Sequence, residues 1–364
     1  GRSLLFHGAA CRKPPMQPQV TIVIPTHERP QYLARTLKYY AQTDFPVLVV
    51  DSSRVASPDA AVLQNGAYRH MPGVPLLEKM RSIMPLVATP FMVFCADDDF
   101  TVPRAAQACA DFLMANPDHS SAQGHYVMAM PGARGVELTA GYPGNFQVRV
   151  DSGDPSVRLR QLFSPYVQNF YAVHRTSTWQ AFYALPTEKF SHYCILELLG
   201  AMLAAILGKH KVLPLLYSVR DRFLDDDRKN PLRRKNIDVI SRDPAHAAEY
   251  EDFLASLAGH LCARTGLSPQ EARRDIQAAV DLFIEGTLGT STRKPFHKKI
   301  PKYAARFLDA LSGGRRKAAM QREQAQLRQQ EFERFFSSFD VAAEAELGSI
   351  VRSIASSGAH LEKP

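Results

Sequence analysis

Phe91 to Phe100, FMVFCADDDF, is the stretch that most narrows what this chain can become. Phe91 to Cys95 are aromatic, β-branched or otherwise suited to a buried strand, and they run without a break into Asp97, Asp98 and Asp99. Three adjacent negative charges at the mouth of a buried strand need a compensating cation, a hydrogen-bonding ligand or full solvation. Carboxylate oxygens suit Mg²⁺ or Mn²⁺. Alternation along an extended chain puts Asp97 and Asp99 on one side and Asp98 on the other, which selects the first and third as the pair facing a ligand. A solvated acidic turn accounts for the same three residues without any ligand, and the triad alone leaves both readings open.

The neighbouring sequence supplies a frame. Val20 to Pro25 (VTIVIP) reads as a buried strand, Pro30 to Tyr40 as a helix opened by proline, and Pro46 to Val50 as a second buried strand ending at Asp51-Ser52-Ser53. Strand, helix and strand in this order make the βαβ unit of a parallel sheet. Ligands of such sheets bind beyond the carboxyl ends of the strands, so Thr26 to Arg29, Asp51 to Ser53 and Asp97 to Asp99 are expected to converge on one crevice. Further on, helices are expected at 76–87, 103–114, 156–163, 177–185 and 192–207, and strands at 121–130, 146–150, 167–174 and 211–219. Gly132 to Gly144 and the charge-dense Arg220 to Asn236 read as loops.

From Pro244 the pattern is helical only: 245–265, 268–287, 302–311, 317–336 and 341–355, with Ser268 and Glu271 spaced as a capping box. The net charge is +8, and ten Lys or Arg between Arg293 and Arg322 face the single acid Asp309, so the basic character is local. No run reaches the ~18 apolar residues of a membrane span. Five cysteines without CxxC spacing argue against a disulfide framework and a zinc site, and fit a reducing cytoplasm. Residues 1–19 read as an N-terminal remnant or extension.

This order of motifs resembles the GT-A glycosyltransferases, and within them the large family-2-like group that uses nucleotide-diphospho-sugars. The residues carrying the resemblance are Ile24-Pro25-Thr26-His27-Glu28-Arg29-Pro30, Asp51, Arg81 on the helix before the acidic strand, and Asp97-Asp98-Asp99 with Pro103 opening the next helix. It covers roughly Val20 to Asp221. Ser52-Ser53 stands where the family usually has an acidic, glycine-rich turn, and Ser82 where many members have Asn. The implied fold is α/β, a Rossmann-like, mostly parallel central sheet flanked by helices with an all-helical C-terminal extension; together with the change of pattern between Asn230 and Arg242, it gives a GT-A domain at 20–235 and a helical C-terminal domain with the basic patch at 236–364.

The resemblance also implies roles. Pro25, Thr26, Glu28, Arg29 and Asp51 would hold the nucleotide; Arg81, Asp97 and Asp98 would lie near ribose and diphosphate; Asp99, with Asp97, would bind the Mn²⁺ or Mg²⁺ that bridges the phosphates. Arg220 and Arg222 offer further guanidinium groups, or else belong to a solvated loop. The family's general base is an acid early in a helix that ends about eleven residues later at a glycine; Glu197 stands eleven residues before Gly208. Desolvation in that apolar helix would raise its pKa, as suits a base, and His192 one turn earlier is the second candidate. The implied reaction is inverting transfer of a sugar, with a UDP-sugar the expected donor, to a glycan or lipid-linked hydroxyl.

The competing reading is a non-catalytic polyanion- or membrane-binding scaffold whose working surface is Arg293 to Arg322. That stretch interleaves cations with Phe296, Ile300 and Phe307, which suits peripheral attachment to the inner face of an anionic membrane. No nucleic-acid partner is expected, since no recognised binding motif accompanies the basic patch.

Overall fold

The computed structural model describes residues 19–356 apart from 64–65, 133–134, 143–148, 165, 223–235, 289–332, 334 and 338. In chain order the main elements are β1 (Val20–Thr26), α1 (Pro30–Tyr40), β2 (Val47–Asp51), β3 (Gly66–His70), α2 (Leu76–Ile83), β4 (Phe91–Phe94), β5 (Asp99–Thr101), α3 (Pro103–Ala115), β6 (His119–Gly132), β7 (Gly135–Gly141), α4 (Pro155–Phe163), β8 (Val173–Arg175), α5 (Thr176–Tyr183), α6 (Tyr193–Leu207), β9 (Lys209–Asp221), α7 (Ile237–Ile240), α8 (Ala247–Thr265), α9 (Pro269–Phe283) and α10 (Val341–Ser356). One mixed sheet runs β3-β2-β1-β4-β8-β6-β9-β5, with β7 paired to β6. The block β3-β2-β1-β4 is parallel, and so is the long β6–β9 pair; β8, β5 and β7 join antiparallel.

The apolar strands are apolar throughout because helices cover both faces. Val20, Ile22 and Ile24 of β1 and Phe91 and Val93 of β4 enter one core with Leu33 and Leu37 of α1 and Ala106 of α3. Val23, Met92 and Phe94, their alternating neighbours, enter the other with Met80 of α2 and the buried side of α6. Parallel pairing in register, Val23 opposite Phe94 and Thr26 opposite Asp51, delivers the carboxyl ends of β1, β2 and β4 to one edge of the sheet.

Two expectations change, and one strand is added. Gly66–His70 is a strand that its exposed, polar side chains conceal, an edge strand with only the middle residue partly covered. Gly132 to Gly144 is largely a β-hairpin arm: Gly135, at a φ of 123° open only to glycine, turns the chain back so that β7 pairs with β6. The strand expected over 167–174 is short, Val173–Arg175. Most of the strand expected at 146–150, and most of 220–236, lies outside the described residues.

The helices after Ile237 join the cores already present. Leu257 and Leu261 of α8 and Ile276 and Val280 of α9 share a core with Leu159 of α4 and Leu203 of α6, whereas Leu347 and Ile350 of α10 pack on the opposite face with α1 and β9 residues. Among the described residues, 236–364 encloses no core of its own. The Ser268–Glu271 capping box forms in both directions. The basic stretch 293–322, and the helices expected there, fall outside the described residues.

Candidate active site

The edge where β1, β2 and β4 end opens into a cleft of about 740 Å³. Pro25, Thr26, Glu28, Arg29, Asp97, Asp98, Asp99, Glu197 and Arg220 all line it, so most of the residues singled out in the sequence converge there. Thr26 donates its hydroxyl hydrogen to Asp97 Oδ2 (2.7 Å), and the Arg29 guanidinium spans two acids, reaching Asp97 Oδ1 at 2.6 Å and Asp98 Oδ2 at 2.5 Å. Arg29 also lies 4.5 Å over the Tyr32 ring. The turn that aims Arg29 is strained: Glu28 has φ 52°, a left-handed conformation costing a non-glycine residue about 1 kcal/mol. Its backbone N–H is held by Ser53 Oγ (2.7 Å) and its carboxylate by the N–H of Arg54 (2.9 Å).

On the other side of the acids stands β9. Antiparallel pairing puts Asp99 opposite Arg220, and Arg220 Nε donates to Asp99 Oδ2 (2.9 Å) while its NH1 reaches the Tyr142 hydroxyl (2.9 Å). The backbone N–H of Asp221 donates to Asp99 Oδ1 (3.1 Å). Arg220 lies over the Tyr171 ring at 4.9 Å, and the Tyr171 hydroxyl donates to Glu197 Oε1 (3.2 Å). Acid triad, arginine, tyrosine and glutamate thus form one contiguous chain of contacts across the cleft. Beneath it Arg35 and Asp221, both almost fully buried, pair at 2.8 Å, and Arg35 also donates to the Asp98 carbonyl (3.0 Å). Breaking such a buried pair typically costs about 3–5 kcal/mol.

A second cavity of about 370 Å³ adjoins the first and shares Tyr171, Glu197, Arg220 and Arg222 with it. Its remaining walls are largely aromatic or amide: Tyr142, Tyr166, Gln168, Asn236 and Phe283. Glu197, half-buried on α6, therefore stands at the junction of two chambers.

Burial raises the pKa of Asp97 and of Asp99, and the adjacent arginines, Arg29 and Arg220, oppose the rise without cancelling it. Both carboxylates therefore still favour added positive charge. A divalent metal fits this donor set: the oxygens are hard, Asp97 and Asp99 are the buried members of the triad, and the contacts to each carboxylate leave lone pairs unused. Asp97 and Asp99 are the residues that could hold Mg²⁺ or Mn²⁺.

Three expected site residues sit elsewhere. Arg81 turns away from the cleft and is tied to the Tyr183 carbonyl (3.2 Å), Thr187 Oγ1 (2.7 Å) and Glu188 (2.9 Å). Asp51 is buried beside the cleft, its oxygens taken by the Ser53 N–H (2.8 Å) and the Tyr68 hydroxyl (2.6 Å). His192 lines neither cavity and bonds to Glu249.

The cation that α2 does contribute is Lys79, 2 % exposed, whose Nζ donates to the Thr26 carbonyl (2.6 Å), the Val50 carbonyl (3.2 Å) and Ser52 Oγ (3.0 Å). It joins the ends of β1 and β2. Burial lowers its pKa to about 8, against the pull of Asp51 and Asp97. The sequence carried a signal for this: Lys79 falls in the helical series Leu76, Lys79, Met80, Ile83 that faces inward, and Arg81 falls off it. Tyr171 and Tyr142 carried none.

No family model matches the chain, and no curated protein matches it by sequence. Among solved structures it is similar to the 1–349 fragment of S. aureus TarS, at 15% identity and a TM-score of 0.47, over 78% of this chain and 75% of that one. The same fragment in complex with UDP matches at 14% identity and a TM-score of 0.45, over 77% of each chain. Its complex with UDP-GlcNAc matches at 14% identity and a TM-score of 0.46, again over 77% of each. A likeness at this identity and TM-score assigns neither substrate nor mechanism to this chain. Among the described residues no helix is long and apolar enough to cross a membrane.

Proposed function

We propose that the chain is a glycosyltransferase that moves a sugar from a nucleoside-diphosphate donor, with a UDP-sugar the expected one, to a hydroxyl of a glycan or lipid-linked acceptor, with inversion at the transferred carbon. One observation carries this reading: buried Asp97 and Asp99, each paired with an arginine, face Glu197 across a single cleft at the strand ends. The acceptor oxygen attacks the anomeric carbon, the bond from that carbon to the diphosphate oxygen breaks, and the electron pair leaves with the diphosphate. Glu197 takes the hydroxyl proton, a contribution of about 100-fold or more for a positioned base. Arg220, with Arg29 and Arg222 on the same cleft, meets the charge growing on the leaving oxygen. Mg²⁺ or Mn²⁺ on Asp97 and Asp99, when bound, would neutralise part of the diphosphate charge.

The second chamber suits the acceptor. Its aromatic walls offer apolar faces to a sugar ring and its amides offer hydrogen bonds, and it opens on Glu197, where the acceptor hydroxyl must lose its proton. The test is release of nucleoside diphosphate from a panel of sugar nucleotides, with and without Mn²⁺. Hydrolysis of one donor that depends on Asp99 supports the proposal; release from none of the panel, together with absence of nucleotide binding, contradicts it.

A further inference from the structure

His192, His246 and Glu249 lie apart from both cavities, at the seam where α6 begins and α8 begins. Their ligand atoms all lie within 4.8 Å of one another. His192 Nδ1 is 2.9 Å and His246 Nδ1 is 3.9 Å from the same oxygen, Glu249 Oε2, and the two imidazole rings stand 4.7 Å apart at 84°. Two imidazoles and a carboxylate thus approach a common point from different directions.

The surroundings of these three groups match those of metal ligands. Glu249 Oε1 accepts the backbone N–H of Ser191 (2.8 Å) and of His192 (3.2 Å), which fixes the carboxylate and turns Oε2 toward the imidazoles. On the far side of His246, Asp243 Oδ2 stands 3.7 Å from Nε2, close enough for a small side-chain rotation to make it the carboxylate that accepts from a metal-bound histidine's other nitrogen. The Glu249 side chain is 11% exposed, and every ion pair it makes among the described residues is to a histidine, so no lysine or arginine of that set neutralises it.

We propose that His192, His246 and Glu249 form a transition-metal site, with Zn²⁺ the ion their donor set fits, that fastens the start of α6 to the start of α8. Tetrahedral Zn²⁺ with bonds of about 2.0–2.2 Å needs ligand atoms about 3.3 Å apart, so the widest separation has to close by roughly 1.5 Å. That is within reach of side-chain rotation at two helix starts. Imidazole with carboxylate favours zinc over the magnesium and manganese that suit Asp97 and Asp99. The absence of CxxC spacing excludes cysteine-based zinc sites and is silent here, because His192 lies far from His246 and Glu249 in sequence. The consequence reaches the cleft: α6 carries Leu196 and Glu197 into it one turn beyond His192, so the ion would hold the Glu197 wall in place.

The test is titration of tag-free, EDTA-treated, nucleotide-free protein with Co²⁺ and Zn²⁺, reading visible d–d absorption and metal content per chain. The expected result is one ion per chain, a four-coordinate Co²⁺ spectrum displaced by Zn²⁺, and a melting temperature raised by Zn²⁺. Both signals persist in an Asp97→Asn, Asp99→Asn double variant and disappear in His246→Asn and Glu249→Gln, judged against each variant's own melting curve in EDTA. Wild-type protein that takes up no Co²⁺ overturns the proposal, as does binding that survives His246→Asn and Glu249→Gln. Because the readout uses no donor or acceptor, its failure is separate from failure of the glycosyltransferase reading.

Discussion

The two walls of the cleft are built on different principles. The strand wall is dense with charge: Asp97 and Asp98 share Arg29, Asp99 holds Arg220, and Asp221 holds Arg35, all at hydrogen-bonding distance. The helix wall presents one carboxylate, Glu197, on an otherwise apolar helix, with the Tyr171 hydroxyl against it. A wall of paired charges is already organised before a ligand arrives, which suits stabilising a diphosphate without reorganisation. A half-buried acid on an apolar support suits a group that must gain and lose a proton. The two walls thus divide the work between binding the diphosphate and moving the proton.

The largest expected effect breaks the strand wall. Asp99→Ala removes a carboxylate proposed to hold the metal and takes from Arg220 its carboxylate partner, and turnover should fall by about 1000-fold or more with the fold retained. Full activity with Mn²⁺ present would remove Asp99 from the mechanism. Next comes the helix wall, where Glu197→Gln keeps size and hydrogen bonding but accepts no proton. It should bind donor as the wild type does and lose transfer by about 100-fold or more. Loss of donor binding in this variant would show that the walls do not divide the work as described.

Legibility differed between the walls for a physical reason. VTIVIP, VLVVD and FMVFC are continuous apolar runs because their strands are buried on both faces, and the acids follow them directly in sequence; the strand wall was therefore readable from adjacent residues. Its cross-links were not: Arg35 meets Asp221 186 positions away, and nothing local marks that pairing. Glu197 is marked in sequence only through the family resemblance, as an acid eleven residues before Gly208, and Tyr171 and the chamber behind it depend on how α4, α6 and α9 pack. β3 was invisible because an exposed edge strand has no apolar alternation to show. On α2 the cation that reaches the strand ends is Lys79, on the inward face, whereas Arg81, the basic residue on which the resemblance rests, lies off that face.

Lys79 sharpens the comparison by its pH dependence. Its folded-state pKa, about 8, lies below the ordinary 10.5, so the unfolded chain binds more protons between those values. Stability should therefore rise with pH through that window as the buried ammonium is relieved of its proton. In Lys79→Met that rise disappears, so thermal melts of the two proteins compared near pH 8 and near pH 10 should differ in slope. Parallel melting curves would show that Lys79 titrates normally. The smallest effect belongs to Arg81→Ala: its ion pair with Glu188 is largely exposed and screened by solvent, and nucleotide binding should be unchanged. A binding loss would return Arg81 to the cleft.

Division of work between the two walls is tested by calorimetry of UDP with Mn²⁺ on wild-type protein, Asp99→Ala and Glu197→Gln. The expected result is metal-dependent binding to the wild type, undiminished in Glu197→Gln and weakened at least about tenfold, roughly 1.4 kcal/mol, in Asp99→Ala. No heat from the wild type, or the same affinity in all three proteins, would contradict it.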